Sequence, residues 1–249
     1  MSDLNFSLLP WQQEVFADKT RFKVIAAGRR CGKSRLSAVT LLIEGLRCPT
    51  GSAVLYVAPT NGQARQIIWD VLLELGREVI QASHINNMDI TLINGAKIYV
   101  RGADRPDTLR GVSLTYAVLD EVADIKPEAW EQVIRASLSD KKGRAMFIGT
   151  PKGRNFFYDI FKLGKSGDDP DWKSWHFTTK DNPLIDPSEI EAAKKAVRAR
   201  SLTPADLRAP TITLSNFGTI AGDHAALIVM PPGELTIVHP VPALKVDNV

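Results

Sequence analysis

Phe22-Lys23-Val24-Ile25-Ala26-Ala27-Gly28-Arg29-Arg30-Cys31-Gly32-Lys33-Ser34 is the stretch from which the fold can be read. Its short, mostly apolar run stops at Gly28, as a buried strand entering a loop does. From Ser34 to Arg47 the residues Leu36, Val39, Thr40, Ile43 and Leu46 then fall on one face of a helix. Strand, glycine-bearing loop and helix in that order make an anion site. The first N–H groups of a helix have no intrahelical partner and point at phosphate oxygens. Gly28, Arg29, Arg30 and Cys31 form the loop, and Gly32 keeps its backbone close to the ligand. Lys33 reaches β- and γ-phosphates, and the Ser34 hydroxyl is a magnesium ligand. Ala27 stands where the GxxxxGK[ST] pattern has its first glycine. The strand–loop–helix context therefore carries part of the assignment. Cys31, at a variable position, reads as filler rather than a redox switch. Arg30 has two readings, γ-phosphate sensor or structural pair.

Outward from this loop the chain alternates between strand-like and helix-like runs. Ala53–Ala58 is a second buried strand, stopped by Pro59, and residues 62–80 predict a helix with Ile67, Ile68, Val71, Leu72 and Leu75 as its stripe. Asp89–Ile93 and Lys97–Arg101 flank Asn94-Gly95, a dipeptide suited to a tight hairpin because both residues tolerate positive φ. Tyr116–Leu119 is a third buried strand, Pro127 opens a helix carrying Trp130, Val133, Ile134 and Leu138, and Ala145–Ile148 is a fourth strand. Such alternation predicts an α/β domain with a mostly parallel sheet and helices on both faces. Ligands in such sheets bind at the carboxyl ends of strands. Asp120-Glu121 follows the third strand at that edge. Asp120 can hold Mg²⁺ opposite Ser34, and Glu121 can orient and deprotonate a water. Arg110, eleven residues before Glu121 in Thr108-Leu109-Arg110-Gly111, is either an arginine finger for a neighbouring subunit or else a surface arginine or internal salt bridge.

Composition excludes several classes. No run approaches 18 apolar residues, so no membrane span is expected. The first residues lack a basic-then-apolar leader, and two cysteines, Cys31 and Cys48, offer neither a disulfide framework nor a zinc site. A reducing cytoplasm is the expected compartment. The formal net charge is +3, and the whole positive excess lies within residues 1–200. A local patch there could hold a polyanion; a solvated mixed-charge surface is the other reading.

Together these pieces resemble the packaging ATPase domain of the large terminase subunit of tailed double-stranded DNA bacteriophages. The resemblance runs from about Leu9 to Arg200. It rests on Pro10-Trp11-Gln12, on Gly28–Ser34, on Val57-Ala58-Pro59-Thr60 with Gln63-Ala64, on Leu109-Arg110-Gly111, on Val118-Leu119-Asp120-Glu121 and on Gly149-Thr150-Pro151-Lys152-Gly153. It implies a P-loop NTPase of the additional-strand, catalytic-glutamate type that hydrolyses ATP with Mg²⁺ to drive double-stranded DNA into a procapsid. It implies that Gln12 reads adenine, that Lys33 and Arg30 hold phosphates, and that Ser34 and Asp120 hold the metal. Glu121 becomes the catalytic acid, Arg110 a trans-acting arginine, and Thr150 the coupling residue that senses the γ-phosphate. Partners implied are a homo-oligomeric ring, a portal and a small terminase subunit, with the protein in the host cytoplasm and transiently at the portal. A motor that moves on any sequence grips phosphates rather than base edges. Arg101, Arg105, Lys152 and Arg154 are candidates for that grip.

Residues 201–249 differ in kind: prolines are frequent, charges sparse, and Phe217 is the sole aromatic. Asp206, Asp223, Glu234 and Asp247 are too few and scattered to build the family's nuclease domain, so residues 1–200 are expected to be the ATPase domain and 201–249 an atypical tail without nuclease activity. Two other readings remain at this point. One is a different P-loop nucleic-acid motor of helicase type, against which Asp120-Glu121-Val122-Ala123 lacks a fourth-position Asp or His. The other is a truncated chain that binds ATP without productive turnover.

Overall fold

Eight strands form one sheet in the computed structural model, which describes residues 7–105 and 113–198. The strands are β1 (Phe22–Ala27), β2 (Ala53–Ala58), β3 (Ile80–His84), β4 (Asp89–Leu92), β5 (Lys97–Gly102), β6 (Leu114–Asp120), β7 (Arg144–Gly149) and β8 (Trp172–Phe177). Their order across the sheet is β3-β4-β5-β2-β6-β7-β1-β8. The pairs β2–β5, β2–β6, β6–β7, β7–β1 and β1–β8 are parallel, while β3–β4 and β4–β5 are antiparallel. The sheet is therefore mostly parallel, as the alternation predicts. β7 lies between β1 and β6, which is the inserted strand of the additional-strand class.

β1 and β2 are buried along their entire length, so both faces of the sheet must be covered. On one face Ile25, Val54, Tyr56, Val118 and Ile148 pack under α1 (Pro10–Ala17), α2 (Lys33–Arg47) and a long helical run, α3 (Asn61–Ala64) and α4 (Asp70–Leu75) joined by a π turn at Arg65–Trp69. On the other face Val24, Leu55, Leu119 and Phe147 meet Trp130, Val133, Ile134 and Leu138 from the π turn Ala129–Ile134 and α5 (Arg135–Ser139), with Phe157 and Phe161 from α6 (Phe156–Ser166). Rings tie strands to helix there. Trp130 stands edge-on to Phe147 at 4.7 Å, and Phe147 stacks on Trp172 at 5.4 Å. Such pairs contribute about 0.5–1.5 kcal/mol each beyond area burial. A final helix, α7 (Pro187–Arg198), follows β8.

Two expectations need correction, and two elements were missed. The helix predicted over 62–80 ends at Leu75, and Ile80 begins β3, a strand too polar and exposed to show an apolar run. The buried face of α2 is wider than its predicted stripe, because Ser37, Leu41, Leu42 and Gly45 are buried as well while Ile43 is not fully so. α2 lies beneath other helices and the sheet together, and a helix covered from two sides loses its polar face. The elements α6 and β8, unforeseen from sequence, close the far edge beside β1. Arg110 and residues 201–249, with their predicted roles, lie outside the described residues. No helix among the described residues is long and apolar enough to cross a membrane.

Candidate active site

The register of the parallel strands brings three carboxyl ends side by side. Ala26 of β1 pairs with Gly149 of β7, and Ile148 of β7 pairs with Asp120 of β6. The loop after β1, Thr150 after β7 and the acidic pair at the end of β6 therefore open on one edge.

The loop's geometry explains its letters. Arg30 has φ 58° and Gly32 φ 95°, both in the left-handed region. Glycine is free to adopt that conformation, whereas a side-chain-bearing residue there costs about 1–2 kcal/mol. Ala27 remains in the extended strand. The first position of the pattern makes no left-handed turn here, so it needs no glycine. Gly28 leaves room: a Cβ on it would stand a tight 3.1 Å from Thr179 Oγ1 and 3.2 Å from Thr179 N. Lys33 opens α2, and its Nζ donates to Thr150 Oγ1 at 2.9 Å, to the Gly28 carbonyl at 3.1 Å and to the Ala27 carbonyl at 3.3 Å. One ammonium thus joins the loop to the end of β7. Ser34 is half-buried one position further on, and Arg30 is exposed.

Asp120 is 1% exposed. Its Oδ2 accepts from Tyr56 Oη at 2.8 Å and its Oδ1 from the Glu121 N–H at 2.8 Å. Burial, then the adjacent Glu121 charge, pushes its carboxyl up to about 6 against the pull of Lys33. Glu121 has φ 51° and ψ 45°, a left-handed conformation for a residue with a long side chain. Backbone strain of this kind persists where surroundings over-determine it, and it gathers at functional sites. Gly149 makes room for it: a Cβ there would be 3.1 Å from Val122 N and 3.3 Å from Glu121 Cα. Lys152 pairs with Asp124, and Asn155 Nδ2 donates to the Ala123 carbonyl at 3.2 Å. Gly149, Lys152 and Asn155 thus brace the turn that carries Glu121.

A phosphate-type loop, a buried aspartate and a strained glutamate thus share one strand edge. A family model described as "Terminase large subunit, T4likevirus-type, N-terminal" matches residues 24–201. The chain belongs to the large terminase subunit family. The large terminase subunit of Thermus virus P23-45 is 34% identical to it over 191 residues, 67% of this chain and 39% of that protein. The chain thus spans about two-fifths of that curated relative's length. The large terminase ATPase domain of Thermus phage P74-26 superposes with a TM-score of 0.67 at 27% identity, covering 81% of this chain and 90% of that one. A large terminase from a thermophilic bacteriophage, solved in complex with ADP, shares the fold at a TM-score of 0.62 and 17% identity, covering 76% of this chain and 50% of that one.

Within this terminase domain, the predicted residues fare unequally. Lys33, Ser34, Asp120, Glu121 and Thr150 share one edge. Gln12, which the resemblance assigns to adenine, is wholly buried. Its Nε2 donates to the Gly32 carbonyl at 2.9 Å, and its Oε1 accepts from the Leu9 N–H at 2.8 Å, so it ties α1 to the loop. Cys31 is buried and its thiol donates to the Thr178 carbonyl at 2.8 Å; burial pushes that thiol up to about 11, which disfavours the reactive thiolate. Of the proposed phosphate grips, Arg101 is already committed. Its Nη1 donates to the carbonyls of Asn87, Met88 and Val100, each at 2.9 Å. Lys152 holds Asp124, and Arg154 lies over the Tyr158 ring at 5.9 Å. Sequence reasoning missed Tyr56. A tyrosine inside the otherwise apolar Ala53–Ala58 strand was the available signal, because a buried hydroxyl needs a partner.

Proposed function

We propose that residues 1–200 form the packaging ATPase domain of a large terminase, hydrolysing ATP with Mg²⁺ to translocate double-stranded DNA into a procapsid. The observation that carries this reading is the junction of the loop lysine with the end of β7, one strand away from the acidic pair. The ADP in the thermophilic bacteriophage protein of the same fold is consistent with a nucleotide at this edge.

In this reading the N–H groups of Gly28–Ser34 and the Lys33 ammonium bind the β- and γ-phosphates, with Arg30 beside them. Gln12, bonded to the Gly32 carbonyl at the start of α1, reads the base's edge only by exchanging that bond. Asp120 and Ser34 would hold Mg²⁺, which supplies charge neutralisation between the phosphates. The donor set fits: each Asp120 oxygen has one protein partner and so keeps a free lone pair, and burial makes the bare carboxylate costly enough to favour a cation. Glu121 takes a proton from the water that attacks the γ-phosphorus, and ADP departs with its bridging oxygen. Thr150 Oγ1, bonded to Lys33, registers whether a γ-phosphate has claimed that lysine. Arg110 serves a neighbouring subunit's site in a homo-oligomeric ring, and portal, small terminase subunit and double-stranded DNA are the partners. The work takes place in the host cytoplasm and at the procapsid portal.

The test is ATP hydrolysis by the full chain with Mg²⁺, across protein concentration, with and without double-stranded DNA. Turnover should rise cooperatively with concentration and with DNA. Glu121→Gln should lower it by about 10²–10⁴-fold, the usual worth of a positioned base, while nucleotide still binds. A wild-type chain that binds ATP yet shows no turnover under any of these conditions would leave only the inert reading.

A further inference from the structure

The phosphate loop is held from outside by the turn that ends β8. Gly28 N–H donates to the Phe177 carbonyl at 3.2 Å. Thr179 Oγ1 donates to the Arg29 carbonyl at 3.3 Å, Asn182 Nδ2 to the Arg30 carbonyl at 2.6 Å, and the Cys31 thiol to the Thr178 carbonyl at 2.8 Å. Four successive loop residues are thus bonded to residues 177–182. The turn is itself closed. Asp181 Oδ2 accepts from the Thr178 N–H at 2.6 Å and from Thr178 Oγ1 at 3.0 Å, and Asn182 Oδ1 accepts from the Leu184 N–H at 3.0 Å. Thr179 is buried, and the closeness of its backbone is what Gly28 must accommodate.

This arrangement has a directional consequence. In a planar trans peptide the carbonyl of one residue and the N–H of the next point opposite ways. Tying the Arg29 and Arg30 carbonyls outward turns the Arg30 and Cys31 N–H groups the other way, into the loop's concave side. Successive N–H groups aimed into one concavity are an anion site. Arg30 also has to be kept at φ 58°, where its own preference does not keep it.

We propose that Thr179 and Asn182 are positioning residues of the nucleotide site: by holding the Arg29 and Arg30 carbonyls they fix the phosphate-binding face of the loop. The proposal rests on the ATP-binding reading above for its ligand, but the clasp itself can be judged without nucleotide. Neither residue touches the reacting atoms. Both act through the loop backbone, and both belong to a segment that carries no phosphate-binding motif.

The experiment uses the full chain with Thr179→Val, which keeps shape and loses the donor; Thr179→Ser, which keeps the donor; and Asn182→Ala. Calorimetry gives the Kd for MgADP, and hydrogen exchange of residues 28–34 in the free protein gives the order of the loop. Loss of one such hydrogen bond should weaken MgADP about three- to tenfold and speed exchange by a similar factor in Thr179→Val and Asn182→Ala, with KM for ATP rising more than kcat falls. Thr179→Ser should restore binding, which a mere packing role would not require. Wild-type Kd and wild-type exchange in folded Thr179→Val and Asn182→Ala would overturn the proposal. If the wild type failed to bind MgADP, the ATPase reading would fall, and unchanged loop exchange in both variants would separately sink the clasp.

Discussion

Replacing Asp120 by asparagine should make the free protein more stable at neutral pH while destroying the function of its site. The carboxyl is 1% exposed and is pushed up to about 6 from an ordinary 3.8 by burial and then by Glu121. The folded state therefore binds this proton more tightly than the unfolded chain does. Stability from this group is complete below about pH 4 and is lost as pH rises through about 6. A shift of roughly two units means that ionised Asp120 costs the fold about 3 kcal/mol above pH 7. Asparagine removes that cost. It keeps an oxygen for the Glu121 N–H but turns an NH₂ toward Tyr56, whose buried hydroxyl hydrogen then lacks its acceptor. That orphan costs about 1–2 kcal/mol. The net gain is about 1–2 kcal/mol at pH 7.5, a rise of roughly 2–8 °C in Tm for a domain of this size. At pH 5 the wild-type carboxyl is mostly protonated, so the advantage should vanish or reverse. Thermal unfolding of wild type and Asp120→Asn from pH 5 to 8, free of nucleotide and metal, reads the difference directly. An Asp120→Asn protein no more stable than wild type at pH 7.5, or a difference independent of pH, would show that burial does not strain this carboxylate. The stabilising variant should at the same time lose ATP turnover, because the proposed magnesium site would lose its carboxylate.

Two further substitutions probe how tightly the loop and the far edge are built. Gly32→Ala places a Cβ 2.7 Å from Gln12 Nε2 at φ 95°, so it should lower stability by about 1–2 kcal/mol and weaken ATP binding together; unchanged urea midpoint and Kd would show that the loop relaxes freely. Gly164→Ala, inside α6, would gain about 1 kcal/mol from helix propensity. Its Cβ, however, would stand 2.2 Å from Ser174 Oγ and 2.8 Å from the Lys173 carbonyl carbon of β8. Backbone does not yield cheaply, so a net loss of about 1–3 kcal/mol is expected from overpacking; a stabilised variant would mean that α6 and β8 are not in such close contact.

What could be read from the chain, and what could not, divides by the range of the interactions. β1, its loop and α2 are set by residues adjacent in sequence, and so is the acidic end of β6; apolar runs punctuated by glycine announced them. The order β6-β7-β1 was legible only as a family expectation, because the pairing of β7 with β1 joins segments over a hundred residues apart. β8 was invisible for a related reason. Trp172-Lys173-Ser174-Trp175-His176-Phe177 alternates too weakly to declare a strand, and it becomes one by pairing with β1 in parallel. The turn that follows, Thr178-Thr179-Lys180-Asp181-Asn182, reads locally as an ordinary loop rich in turn-forming residues. Its consequence appears only when β8 carries it alongside the loop after β1. The phosphate motif marks the groups that would face the nucleotide, whereas the groups that hold those in place face away from it and come from a turn about 150 residues later. A motif is thus half of a site: the half that touches ligand is local, and the half that restrains the backbone is supplied by topology.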